Sequence, residues 1–247
     1  MLDEFSTVDT TGLMAADVTG YDFTDGVSRI PRVHRRERIP SELFRYRVLK
    51  RSFDIFSVIL AFPVLLPLLL AVACAVRFTS PGTVFYSHRR IRQNGVFFSM
   101  WKFRTMCVNS AEVLDVYLAA HPEARSEWNR NHKLRHDPRI TPIGAFLRKY
   151  SLDELPQVWN VLAGQMSLVG PRPIVAAEVE KYKDAFGAYC RVKPGLTGLW
   201  QVSGRSELTY DQRVGLDREY VENWALRRDL HILLRTVPSV VNQDGAY

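Results

Sequence analysis

The sequence predicts a mostly helical α+β protein held at a membrane, and three observations carry that reading. Ile55 to Val76 is a run of 22 residues without a charge. Two alternating segments, Thr83 to Arg92 and Val96 to Phe103, flank Asn94-Gly95, a strong hairpin signal. Beyond them, short amphipathic runs with helix-start signals fill most of the remaining chain.

The charge divides the N-terminal region into two parts. Residues 1–28 hold six acids and no Lys or Arg, so a net +7 for the chain leaves +13 for the rest. That segment reads as an acidic disordered tail. Residues 29–51 read as a basic juxtamembrane segment, with nine basic residues against Glu37 and Glu42. Basic residues beside an apolar run suit attraction to anionic lipid. Nucleic-acid binding competes as a reading of any basic chain, but no helix-turn-helix, zinc-finger or RNA-module signature accompanies the charge. Cys74, Cys107 and Cys190 are odd in number and far apart, so neither a disulfide framework nor a metal spacing is expected.

Residues 52–78 are expected to enter the membrane. As a straight helix the apolar run would reach about 33 Å, enough to span. Its flanks oppose a span: Lys50 and Arg51 on one side and Arg77, Arg89, Arg90 and Arg92 on the other place both ends in the cytoplasm. Pro63 and Pro67 lie in the middle, where prolines free backbone carbonyls and bend helices. A re-entrant helical hairpin is therefore expected, broken at these prolines. Residues 79–247 form the cytoplasmic domain.

In the hairpin, period 2 puts Lys102 and Arg104 on one face, which by itself reads as a solvated strand and could also hold a phosphate. Residues 109–135 read as a polar helix broken near Pro122. His132 and His136 share a helical face but lack a completing acid, so they read as surface or packing histidines. Ile140–Tyr150 and Leu152–Leu162 read as short amphipathic helices, with Ile143, Phe146 and Leu147 as a stripe. Ser151-Leu152-Asp153-Glu154 matches the capping-box pattern, placing two acids in a first helical turn where a phosphate or a Mg²⁺-phosphate can approach. First-turn acids more often only cap or complement the dipole. Pro156, so soon after the cap, points to a turn shaped for more than stability.

In Gly170-Pro171-Arg172-Pro173 two prolines present one guanidinium rigidly, and Pro173 would also suit the first position of a helix over Ile174–Phe186. Lys193 to Arg205 is glycine-rich with basic residues at both ends, a loop that could hold a diphosphate. Thr209-Tyr210-Asp211-Gln212 starts another helix by a capping box, and Leu230–Val241 forms the last one. Asp211, Asp217 and Asp229 are expected to pair on the surface with Arg213, Arg218 and Arg228.

Taken in order, Lys50 to Asp54, Trp101 to Met106, Asp137 to Ile140, Ser151 to Gln157, Gly170 to Pro173 and Lys193 to Arg205 resemble the bacterial sugar transferases that start glycan assembly on a polyprenyl phosphate. The resemblance covers residues 50–247. Within the family the chain is most similar to the enzymes that begin succinoglycan-type exopolysaccharides, down to Trp224 and Gly245-Ala246-Tyr247. Those are galactose- or glucose-phosphate transferases.

The resemblance implies a monotopic enzyme at the cytoplasmic face of the inner membrane. It would move a hexose phosphate from a UDP-hexose to undecaprenyl phosphate, with membrane lipid around it, no nucleic acid, and a homodimer allowed. Asp153 is implied as nucleophile and Mg²⁺ ligand, and Glu154 as metal support or proton carrier. Lys102, Arg104, Arg172, Pro173, Lys193, Gln201 and Arg205 are implied as substrate-binding. A membrane-bound assembly factor without the chemistry is the alternative.

Overall fold

The computed structural model describes residues 44–131, 134–204 and 207–241. The acidic tail, the basic segment as far as residue 43, His132, Arg205 and Gly245-Ala246-Tyr247 lie outside them.

Helix α1, Phe44–Thr79, is 36 residues long and runs without interruption through Pro63 and Pro67. The expected break is therefore absent. A proline removes one helical N–H, but the bonds of the adjacent turns remain. Both prolines are exposed, while a stripe at Lys50, Asp54, Val58, Phe62, Leu65, Leu69, Val72 and Val76 turns inward. That stripe recurs every three or four residues, the spacing of one helical face. The rest of the helix surface is apolar and open, including Phe56, Ile59, Leu60, Val64 and Leu70. Tyr46–Thr79 is long and apolar enough to cross a membrane, with 17% of its most apolar window buried.

The hairpin forms as expected. Strand β1, Phe85–Ile91, pairs antiparallel with β2, Phe97–Phe103, in a register centred on Asn94. The turn holds three residues, Gln93 to Gly95, closed by Arg92 N–H to Val96 O at 2.8 Å. Asn94 and Gly95 take φ of 65° and 72°, which these residue types tolerate. Phe98 and Met100 on one face and Phe103 on the other enter the core with Val58, Leu69, Val72, Val76, Leu147, Val158, Val161 and Met166.

The polar stretch breaks at Pro122 as expected, into α2, Ser110–Ala120, and α3, Pro122–Asn131. Helix α4, Pro142–Lys149, starts on Thr141, whose Oγ1 accepts the Gly144 N–H at 3.0 Å. A Cβ on Gly144 would lie 2.0 Å from Thr105 O, so only glycine lets α4 approach the end of the hairpin this closely. Helix α5 covers only Gln157–Leu162. Its Asn160 acts as a further strand partner for β2, accepting from Trp101 N–H at 3.0 Å and donating to Ser99 O at 2.8 Å.

Three expectations for the C-terminal half are corrected. The segment read as a helix from Ile174 begins extended: Ile174 bridges to Ile91, and helix appears only in short turns, with α6 at Val179–Tyr182 and α7 at Phe186–Tyr189. The buried bridge outweighs the helical pattern there. The glycine-rich loop contains a strand, because β4, Gly195–Thr197, pairs parallel with β3, Ser167–Val169. Asp217 and Asp229 are buried, not surface partners of arginines. Helix α8, Tyr210–Glu222, does start on the Thr209–Gln212 box, with both bonds present. The chain closes with α9, Leu226–Val241.

Candidate active site

Two acids stand at the centre of the site because the backbone turns sharply just before them. Ser151 adopts φ 55°, a left-handed conformation unfavourable for a residue with a Cβ, and Leu152–Glu154 follow as one 3₁₀ turn. The expected capping box is not formed. Ser151 caps nothing through its side chain, and Glu154 reaches across to the hairpin.

Lys102 meets it there. It projects from the β2 face that also carries Phe98 and Met100, and places Nζ 2.7 Å from Glu154 Oε1 and 3.4 Å from Asp153 Oδ2. One ammonium therefore bridges two adjacent carboxylates. Burial pushes Asp153 above the usual carboxylate range; Lys102 opposes the rise and Glu154 adds to it. Burial also acts to raise Glu154, but the close Lys102 ammonium and the Arg172 and Arg90 guanidinia outweigh it and hold Glu154 low. The two environments push neighbouring acids in opposite directions, the pattern of a site in which two carboxylates take different roles.

Arginines surround the pair. Arg148, at the end of α4, donates from Nε to Thr105 Oγ1 at 2.9 Å and lies within the field of Asp153. The Asp137-Pro138-Arg139 motif closes on itself, with Arg139 donating to both Asp137 oxygens at 2.8 and 2.6 Å. Burial acts to raise Asp137, yet Arg139 bonding brings its carboxyl below the ordinary range.

Arg172 is exposed, with its guanidinium 5.6 Å from the Trp200 ring centroid, while Arg213 faces the same ring at 5.0 Å. Its prolines are fastened on both sides: Pro171 O accepts from Gly195 N–H at 2.8 Å, and Pro173 O accepts from Arg90 at 3.2 Å. Pro173 thus contributes its carbonyl to holding the loop.

Arg90, which the sequence reading did not single out as a site residue, belongs to this group. It pairs with Glu178 at 3.6 Å and acts electrostatically on Glu154. The hairpin register would have found it: Arg90 stands opposite Phe98, on the sheet face that carries Lys102.

Other expected site residues lie elsewhere. Arg104 has the parity of Lys102, but β2 ends at Phe103, and its guanidinium donates to Pro81 O at 2.5 Å and Ser80 O at 2.8 Å. It ties the end of α1 to the hairpin, so the shared basic face is not formed. Lys193 lines a different cavity, with Arg51 and Asp54. Gln201 sits in the 3₁₀ turn Trp200–Val202 against Gly198.

Among the described residues no third His, Cys, Asp or Glu joins the acids to form a metal cluster. Mg²⁺ does not need one, since it is commonly held by one or two carboxylates together with substrate phosphates and water. Asp153 and Glu154 fit that donor set.

Residues 45–243 match the family model described as bacterial sugar transferase. A Sinorhizobium fredii protein named exopolysaccharide production protein ExoY is 50% identical over 198 residues, 80% of this chain and 88% of its own length. A Salmonella typhimurium protein named undecaprenyl-phosphate galactose phosphotransferase is 50% identical over 201 residues, 81% of this chain; the match spans 42% of that longer relative. A Caulobacter vibrioides protein named UDP-glucose:undecaprenyl-phosphate glucose-1-phosphate transferase is 39% identical over 207 residues, 80% of this chain and 72% of its own. The chain belongs to the bacterial sugar transferase family.

Proposed function

We propose that this protein transfers a hexose-1-phosphate, galactose in the first instance, from a UDP-sugar to undecaprenyl phosphate at the cytoplasmic face of the inner membrane. The observation that carries the reading is the Lys102 bridge between Asp153 and Glu154, ringed by Arg148, Arg172 and Arg90. A carboxylate nucleophile needs cationic neighbours before it can approach an anionic diphosphate.

In the first step an Asp153 oxygen attacks the β-phosphorus. The bond from that phosphorus to the bridging oxygen breaks, and UMP leaves with the electron pair. The resulting sugar-phosphoryl aspartate is then attacked at phosphorus by an oxygen of the polyprenyl phosphate, which breaks the acyl-phosphate bond and returns the Asp153 carboxylate. Arg172 and Arg90 balance charge on the phosphoryl oxygens. Lys102 holds Glu154 low and opposes the burial-driven rise of Asp153, favouring the anionic form that the attack needs. Asp153, with Glu154 beside it, would hold Mg²⁺, which would supply charge neutralisation on the diphosphate.

A monotopic seating is supported by how α1 packs. Lys50 and Arg51 near its start bond to Asp229 and to the Val161 and Leu162 carbonyls, while Ser80 just beyond its end accepts from Arg104. Both ends rest on one body, so a straight crossing would carry one anchor to the far side of the bilayer. The open apolar surface between them then faces lipid.

The galactose assignment rests on the name of the Salmonella relative at 50% identity, and glucose is the competing donor because the Caulobacter relative carries that name. The test is UMP release by the nanodisc-held full chain with Mg²⁺ and undecaprenyl phosphate, offering UDP-galactose and UDP-glucose separately. Release with UDP-galactose, lost in Asp153→Asn, is the expected result. Release with UDP-glucose alone reassigns the donor. No release with either, from folded protein, favours a non-catalytic assembly factor.

A further inference from the structure

A cavity of about 210 Å³ lies beside the first turns of α1, lined by Arg47, Lys50, Arg51, Asp54, Arg191 and Lys193 among others. Its charges are unequal. Asp54 is the one carboxylate of the lining, and it is already engaged by Lys50 at 3.5 Å, by Ser167 Oγ at 3.0 Å and by Leu168 N–H at 3.1 Å. Lys50 is neutralised in turn by Asp229 at 2.6 Å. Arg47, Arg51 and Lys193 thus line the cavity without a carboxylate of their own among the described residues.

Two of these cations converge. Gly164 takes φ +75°, and a Cβ placed on it would lie 3.5 Å from Lys193 Nζ and 3.7 Å from Arg51 Nη2. Both nitrogens therefore reach one small region. Arg51 is held there by its two bonds to the last carbonyls of α5, while Lys193 makes no hydrogen bond or ion pair among the described residues. Burial, with Arg51 and Arg92 nearby, weakens the hold of Lys193 on its proton, and the pull of Asp54 only partly opposes this. An anion in the cavity would offset that mutual repulsion.

We infer that this cavity is a phosphate-group site, and that its occupant is the headgroup of an anionic phospholipid. Its volume is below the roughly 300–1,000 Å³ of pockets that enclose drug-sized ligands, so it suits a phosphate headgroup better than a nucleotide sugar. None of its lining residues is a bonding partner of Asp153 or Glu154 among the described residues. The lipid source follows from position and rests on the membrane seating proposed above. Arg47 and Arg51 share a face one turn apart, and the same helix exposes apolar side chains on either side of them, Phe44, Val48 and Leu49 and then Phe56, Ile59 and Leu60, where acyl chains would run.

The test uses the full chain in neutral detergent, with the thermal midpoint followed against dioctanoyl phosphatidylglycerol, dioctanoyl phosphatidylcholine and inorganic phosphate. A ligand that binds the folded state raises the midpoint saturably. Phosphatidylglycerol is expected to do so, with apparent affinity weakened about tenfold by Lys193→Gln or Arg47→Gln, the effect of losing one charge-assisted bond. The double variant loses the response, and Lys149→Gln, a surface charge change elsewhere, keeps it. Arg51 is left intact because it also anchors α1. A response to inorganic phosphate with the same dependence on Lys193 and Arg47 supports the site and assigns it to free phosphate. No saturable rise with either ligand, an equal rise with phosphatidylcholine, or a rise undiminished in the double variant overturns the inference. The readout needs no sugar transfer, so it stands apart from failure of the proposed reaction.

Discussion

Two lysines in this protein each bridge two carboxylates, and the contrast between them separates a cluster open to a substrate from a sealed, structural one. Lys50 lies between Asp54 and Asp229, with side chains 7%, 2% and 0% exposed. Lys102 lies between Asp153 and Glu154, with side chains 24%, 10% and 40% exposed. At the first cluster the carboxylates have further donors: Asp229 is reached by Trp224 Nε1 at 3.0 Å and Tyr220 Oη at 2.7 Å, and Asp54 by Ser167 and Leu168. A satisfied, sealed ion cluster fixes geometry. At the second, the acids depend mainly on Lys102 and on more distant arginines, and the pair opens to solvent. Similar charges have a different capacity to receive a substrate.

The largest expected effect tests the open cluster. Asp153→Asn keeps the size of the side chain and removes the proposed nucleophile, so UMP release should fall by at least about 10³-fold, with the thermal midpoint kept near that of the parent. A variant that retains turnover would refute the covalent route. The sealed cluster should respond in the opposite way. Lys50→Met leaves Asp229 and Asp54 buried without their cation and should cost about 3–5 kcal/mol of stability, read by denaturant unfolding in detergent. If the loss proved small while transfer disappeared, Lys50 would belong to the chemistry and the contrast would fail.

Lys102→Met sharpens the comparison from the other side. Removing one preorganised cation from the proposed phosphate site should slow transfer by about 10²-fold, with less stability lost than at Lys50 because Glu154 can regain water. A variant that unfolds as readily as Lys50→Met would make Lys102 a structural cation.

This contrast was only half legible in the sequence. The hairpin, the helix break near Pro122 and the helix start at Thr209 follow from local pattern, and local pattern decided them. What sequence could not supply was the partner at long range. Lys102 and Glu154 are 52 residues apart and Lys50 and Asp229 are 179 apart, so nothing local distinguishes a buried Asp229 from an exposed one. Surface pairing with neighbouring arginines was the natural expectation for Asp217 and Asp229, and burial against remote elements overrode it. Ser151 is similar: its Ser-x-x-Glu spacing reads as a cap, but the chain enters the turn left-handed and sends Glu154 to the hairpin. Arg104 failed for a simpler reason, since period 2 holds only while the strand lasts.

Asp217 gives the smallest effect and the finest test. It is buried like Asp229, but no lysine reaches it among the described residues; it accepts from Tyr182 Oη at 2.7 Å and feels the backbone and charge of Arg172. Burial outweighs these, and its carboxyl is pushed up to about 7. The sign follows from which state holds the proton. Below the unfolded value near 3.8 both states are protonated and the group contributes no pH dependence. Between there and about 7 the unfolded chain releases the proton while the folded one keeps it, so stability falls as pH rises, and above 7 the loss is complete. Asp217→Asn mimics the neutral acid and should remove this slope. Unfolding free energies of parent and variant, measured from pH 5 to 8, should therefore diverge as pH rises, with the parent losing ground. Parallel curves would mean that Asp217 is already ionised in the fold, with Arg172 serving it as Lys50 serves Asp229. In that event the guanidinium assigned to phosphate would have a structural carboxylate to satisfy first.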